Sequence, residues 1–200
     1  MIKAIIFDLG GVLFFSDGGS YEGREKLAEK LGVDKKKLHD IWFKRKDLLI
    51  TGKMSEEEFL KEVIKISATP LSLNHLKRSI RELNEIDNPM SEVLKKLKKN
   101  YFLAALNNEV KEWNEYRIDK FELNSYFKLI VSSCDVGVAK PDHQIYKILL
   151  DKIKIPADNL VFIDNREENL LPAKELGIKT HHFKNKELLL EWFKENNIQL

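Results

Sequence analysis

Cysteine is almost missing from this chain. Cys134 is the only one in 200 residues, so no intramolecular disulfide can form, and no Cys-x-x-Cys or Cys/His metal spacing exists. No apolar run approaches the roughly 18 residues that a membrane helix needs. Charge of one sign is lacking too: 34 Lys+Arg stand against 32 Asp+Glu, for a net charge of +2. That balance gives no basic face with which to neutralise a phosphate backbone, which excludes a dedicated nucleic-acid binder. Met1 to Asp8 lacks the basic, apolar and small-residue layout of a secretion signal. The expectation is a cytoplasmic protein with neither a nucleic-acid nor a membrane partner. What is present is 43% hydrophobic and 33% charged residue, enough for a packed core under a wet surface. The length suits one domain or one domain with a modest insertion.

Short, apolar, β-favouring runs punctuate the chain at residues 2–7, 101–106, 129–132 and 160–163, with a weaker one at 179–183. Continuous apolar runs of this length suit buried strands of a parallel sheet. Helical spacing separates the later ones, as in Met90, Val93, Leu94 and Leu97 after Asn88-Pro89, and Ile145, Ile148, Leu149 and Ile153. Gly177 is a plausible stop for the helix carrying Leu170, Ala173 and Leu176. The alternation predicts an α/β fold, a doubly wound (Rossmann-like) parallel sheet. Residues 16–86 interrupt it with helical patterns at 21–31, 35–49, 55–66 and 73–83 and no convincing strand. Ser55 and Glu58 form a capping-box signature, and Gly52 marks the turn before it. The predicted organisation is therefore a core of residues 1–15 and 87–200 with an inserted small helical cap at 16–86. An insertion directly after the first strand would sit above the crevice at the strands' carboxyl ends, where ligands bind in such sheets.

Each predicted strand end carries polar chemistry: Asp8 after the first, Asn107-Asn108 after the second, Lys140 in the loop after the third, and Asp164-Asn165 after the fourth. Helix capping alone does not predict four such ends in order. The segments that carry them are Phe7-Asp8-Leu9-Gly10-Gly11-Val12-Leu13, Leu106-Asn107-Asn108, Gly137-Val138-Ala139-Lys140-Pro141-Asp142 and Val161-Phe162-Ile163-Asp164-Asn165-Arg166. In that order the sequence resembles the haloacid dehalogenase-like hydrolase superfamily, whose members are mostly phosphatases, and the insertion resembles the family's small helical cap. The resemblance implies Mg²⁺-dependent hydrolysis of a small phosphorylated metabolite, with Asp8 as nucleophile and an aspartyl-phosphate intermediate. It implies Lys140 as catalytic and phosphate-binding cation, Asn107 and Asn108 as substrate-binding residues, and Asp8, the Gly10 carbonyl, Asp164 and Asn165 around the metal. The physics agrees: a carboxylate nearing a phosphate is repelled by about 4 kcal/mol per charge pair at ~4 Å, so the site needs cations.

Three positions depart from the family pattern. Gly10 stands where a second Asp usually supplies acid–base help, a contribution of about 10²–10⁴-fold. A branch similar to sugar-1-phosphate phosphatases also carries Asp-x-Gly here. Asn107 replaces a Ser or Thr, and Asn165 replaces an acid, which predicts weakened Mg²⁺ affinity. Three readings stay open: a weak phosphatase favouring good leaving groups, a catalytically degenerate phosphate-binding or regulatory protein, and a haloacid dehalogenase. Asp17 could stand in as the acid or be a turn residue beside Gly18-Gly19. His39, Trp42, Arg45 and Lys46 are the cap residues that could face substrate, with Arg45 foremost. His181-His182 reads as strand-end structure and Cys134 as inert.

Overall fold

The computed structural model describes residues 1–14, 20–83 and 88–200. The expected turn at Asp17 to Gly19, the core–insertion boundaries at 15–16 and 86–87 and the Asn88 side-chain cap lie outside what is described. Five strands, β1 (Ala4–Phe7), β2 (Phe102–Asn107), β3 (Leu129–Ser132), β4 (Leu160–Asp164) and β5 (Lys179–His182), form one sheet in the order β3-β2-β1-β4-β5. All four pairings are parallel. The helices are α1 (Tyr21–Leu31), α2 (Lys35–Ile50), α3 (Glu56–Ile66), α4 (Leu73–Glu82), α5 (Asn88–Leu97), α6 (Lys111–Lys120), α7 (Ser133–Val136), α8 (His143–Ile153), α9 (Glu167–Glu175) and α10 (Lys186–Glu195).

β1 is the middle strand and is wholly buried, as its uninterrupted Ala4-Ile5-Ile6-Phe7 run requires. Side chains alternate across a strand. Ile5 and Phe7 therefore join the apolar layer containing Leu94, Leu103 and Phe193, while Ala4 and Ile6 join the opposite one with Ile145, Leu149 and Phe162. The chain winds outward from β1 through β2 to β3, then returns to β4 on β1's other side. Asp8 and Asp164 thus end adjacent strands at the point where the winding reverses, the ligand crevice of open α/β sheets.

Between β1 and β2, the described residues 20–83 form four helices around a separate apolar cluster that includes Leu27, Leu38, Phe59, Leu60, Leu76 and Ile80. Ser20, Asp34, Ser55 and Ser72 each cap a helix start, and Ser55 with Glu58 closes a full capping box. Val110 and Trp113 of the sheet domain belong to the same cluster. Trp113 stacks parallel on Trp42 at 5.9 Å and donates its indole N–H to Glu56 Oε1 at 2.7 Å. Glu56 is buried, paired with Arg81, and its backbone N–H donates to Glu112 Oε1 at 3.2 Å. Helix α6 therefore meets α2 through Trp42 and α3 through Glu56.

Candidate active site

Asp8 follows β1, its N–H still donating to Ile163 O at 2.8 Å. Asp8 Oδ1 accepts the Leu9 N–H at 2.8 Å and lies 2.9 Å from Lys140 Nζ. The chain then turns tightly over Leu9, whose carbonyl accepts from Leu13 N at 2.9 Å and Phe14 N at 3.0 Å. Gly11 is required in that turn. Its φ is +78°, and a Cβ there would stand 2.1 Å from Asn165 Nδ2. This close approach brings the end of β4 against the loop after β1.

Lys140 is buried and its ammonium is fully engaged: Asp8 Oδ1 at 2.9 Å, Asp164 Oδ2 at 2.7 Å and the Leu106 carbonyl at 2.8 Å. Asn108 pins its loop in both directions, accepting from Lys140 N and donating to Lys140 O, each at 2.8 Å. Asp164 is completely buried and saturated. Besides Lys140 it accepts the Arg166 N–H at 2.8 Å and both contacts of Asn169 Nδ2, at 3.0 and 3.1 Å. Burial pushes the Asp8 carboxyl up to about 6, with Lys140 opposing and Asp164 reinforcing the shift. For Lys140, burial disfavours the charge, but Asp8 and Asp164 outweigh it and raise the ammonium above its ordinary value. With all three ionised the cluster carries one net negative charge.

A cavity of about 710 Å³ opens over this cluster. From the strand ends it is lined by Asp8, Gly10, Asn108, Glu109, Lys140 and Asn165, and from the helices by Tyr21, Arg24, Trp42, Phe43 and Lys46, among others. Of the expected site residues, Asp8, Gly10, Asn108, Lys140 and Asn165 meet here. Two lie beneath the cavity instead. Asn107 is buried, accepting from Ser132 Oγ at 2.7 Å and donating to Asn114 Oδ1 at 3.1 Å, so its amide serves the scaffold. Asp164, as described, is spent on Lys140, Arg166 and Asn169. Asn165 Oδ1, by contrast, is buried without a hydrogen-bond partner.

Lys46 and Trp42 reach the cavity, but Arg45 is held by Glu62, with Nη2 at 2.7 Å from Oε1, and His39 bonds Glu25 at 3.0 Å. Sequence reasoning missed Arg24, Tyr21, Phe43 and Glu109. Arg24 is buried, donates to His39 Nδ1 at 3.1 Å and lies over the Trp42 and Phe43 rings at 5.1 and 5.5 Å. Glu109 accepts the Val110 N–H at 2.9 Å and pairs with buried Arg117. Its place directly after Asn107-Asn108 was the available signal. His182 bonds the Asn165 carbonyl at 3.1 Å and His181 packs on Trp192, so the pair does not converge. Burial pushes the Cys134 thiol up to about 12, which leaves it unreactive.

The sequence pattern of haloacid dehalogenase-like hydrolases matches residues 2–177, and the chain belongs to that family. Over 200 residues it is 28% identical to the bifunctional epoxide hydrolase 2 of Sus scrofa, a match that covers 90% of this chain but 36% of that protein. It thus spans about a third of that relative's length. It is 29% identical to the D-ribitol-5-phosphate phosphatase of Bacteroides thetaiotaomicron, covering 92% of this chain and 93% of that protein. Among solved structures, a HAD family enzyme of B. thetaiotaomicron in complex with magnesium and inorganic phosphate superposes with a TM-score of 0.75 at 25% identity. That match covers 92% of this chain and 95% of that one.

Proposed function

We propose that the chain is a magnesium-dependent phosphatase of a small phosphorylated metabolite, acting through a phosphorylated Asp8, with α1–α4 as its cap. The observation that carries this reading is the buried Lys140 ammonium bridging Asp8 and Asp164 at the floor of a cavity roofed by helices. The phosphatase relative and the magnesium–phosphate complex of a relative support it.

The residues present fit a magnesium ion. The cluster's surplus negative charge calls for a cation, and the orphaned Asn165 Oδ1 is an oxygen donor in search of one. No trio of His, Cys, Asp and Glu suited to a metal occurs among the described residues. Mg²⁺ tolerates this, since it takes one or two carboxylates and keeps waters and substrate phosphate. Asp8, the Gly10 carbonyl and Asn165 would hold it, with Asp164 acting through Lys140. When bound, it would neutralise phosphoryl charge.

Lys140 holds the Asp8 carboxylate in one rotamer and offsets the repulsion between it and the incoming phosphate. An Asp8 oxygen attacks phosphorus and the bond to the leaving oxygen breaks. With no acid at Gly10, that oxygen takes its proton from water. Water then attacks phosphorus, releasing phosphate and restoring Asp8. The test is phosphate release from p-nitrophenyl phosphate. Turnover with Mg²⁺ that stops on chelation is expected. Phosphate binding without turnover would return the regulatory reading, and metal-independent halide release the dehalogenase.

The missing acid makes a separate prediction. Across a series of substituted phenyl phosphates, kcat/KM should fall steeply as the leaving phenol becomes more basic. Gly10→Asp should flatten the slope and speed the poorest leaving groups about 10²- to 10⁴-fold. Equal turnover of aryl and simple alkyl esters by the wild type would refute it.

A further inference from the structure

Seven large apolar side chains are notably exposed among the described residues, and only two of these are aromatic, Tyr21 at 65% and Phe43 at 58%. Both line the catalytic cavity. Exposing such rings to water is unfavourable unless something covers them. His39 stacks on Tyr21 at 4.5 Å and 15°. Lys46 Nζ and the Arg24 guanidinium lie over the Phe43 ring, 5.6 and 5.5 Å from its centre.

The composition of the wall separates the possible ligands. Phe14, Tyr21, Trp42 and Phe43 contribute four aromatic rings, whereas Ile50 is the one branched aliphatic residue lining the cavity among those described. An acyl chain would call for the reverse. A bare polyol phosphate would leave much of 710 Å³ unfilled and the two rings wet.

We propose that the substrate is a phosphate monoester whose leaving group carries a planar aromatic ring, stacked against Tyr21 and Phe43 of the cap while its phosphoryl group meets Asp8. This specificity rests on the phosphatase reading of the site. Matched substrates isolate the ring. Flavin mononucleotide and ribitol 5-phosphate are both primary alkyl esters that differ by the ring system, as are adenosine 5′-monophosphate and ribose 5-phosphate.

In at least one pair the ring-bearing ester should have a kcat/KM about tenfold higher or more, mainly through KM, since one good stack supplies about that factor. Phe43→Ala and Tyr21→Ala should erase the advantage, lowering kcat/KM for the ring-bearing ester far more than for the ring-free one. The same four esters are titrated calorimetrically against the Asp8→Asn protein, so that a chain without turnover still reports ring preference. That separates failure of this proposal from failure of the phosphatase reading. Equal handling within both pairs, or equal loss for both members in the alanine variants, would overturn it.

Discussion

Asp8→Asn is expected to abolish phosphate release, by at least about 10⁴-fold, and at the same time to make the metal-free protein more stable at neutral pH. The first effect follows from removing the attacking oxygen's charge. The second follows from burial. The Asp8 carboxyl is moved from 3.8 to about 6 in the folded chain, facing Lys140 on one side and Asp164 beyond it. A folded pKa above the unfolded one means that the native state binds more protons between those values, so stability falls as pH rises through the window from 4 to 6. Above it the cost is about 3 kcal/mol. Asn cannot ionise. Urea unfolding in a chelating buffer should therefore show the variant level with wild type near pH 4 and roughly 3 kcal/mol ahead at pH 7.5. A variant no more stable at pH 7.5 would mean that the native fold does not resist this charge.

Lys140→Met has the opposite sign in stability and the same sign in activity. Without the ammonium, Asp8 and Asp164 face each other with no cation between them, and Asp164 is already completely buried. Removing one partner of a buried ion cluster costs about 3–5 kcal/mol. Phosphate release should fall at least about 10³-fold, because a charge pair worth about 4 kcal/mol no longer offsets the phosphate. The two substitutions should not be additive. In Lys140→Met with Asp8→Asn, one of the stranded carboxylates is gone, and a large share of the lost stability should return. Chemical unfolding of the four proteins measures this coupling. Simple additivity would show that the ammonium is not shared.

The fold was legible because its signals are local. The uninterrupted apolar residues of β1 and β4 can only be buried on both faces, and helix α1 begins and ends at the predicted residues 21 and 31. Asp8 and Lys140 were legible too, since ionisable residues beside buried segments have few other reasons to be there. The choice between neighbours was not. Asn107 and Asn108 have the same side chain on successive positions, which point opposite ways, and the turn toward the crevice is decided by Ser132 of β3 and Asn114 of α6. Asp164 and Asn165 divide in the same manner. The helical wall was least legible. Arg24 sits among charged residues of α1 and reads as a surface cation, because sequence shows that α1 and α2 are helical but not which flank meets the sheet's edge.

Helix α6 reaches both sides of the molecule within five residues. Trp113 grips Glu56 and Trp42 of the helical unit, Asn114 bonds Asn107 at the end of β2, and Arg117 pairs with Glu109 in the loop that follows. A helical unit tied to the sheet domain through α6 cannot lift away without breaking these contacts. Under the proposed phosphatase reading, any movement of that unit that admits substrate pulls on the same helix that anchors Asn107 and Glu109 at the crevice.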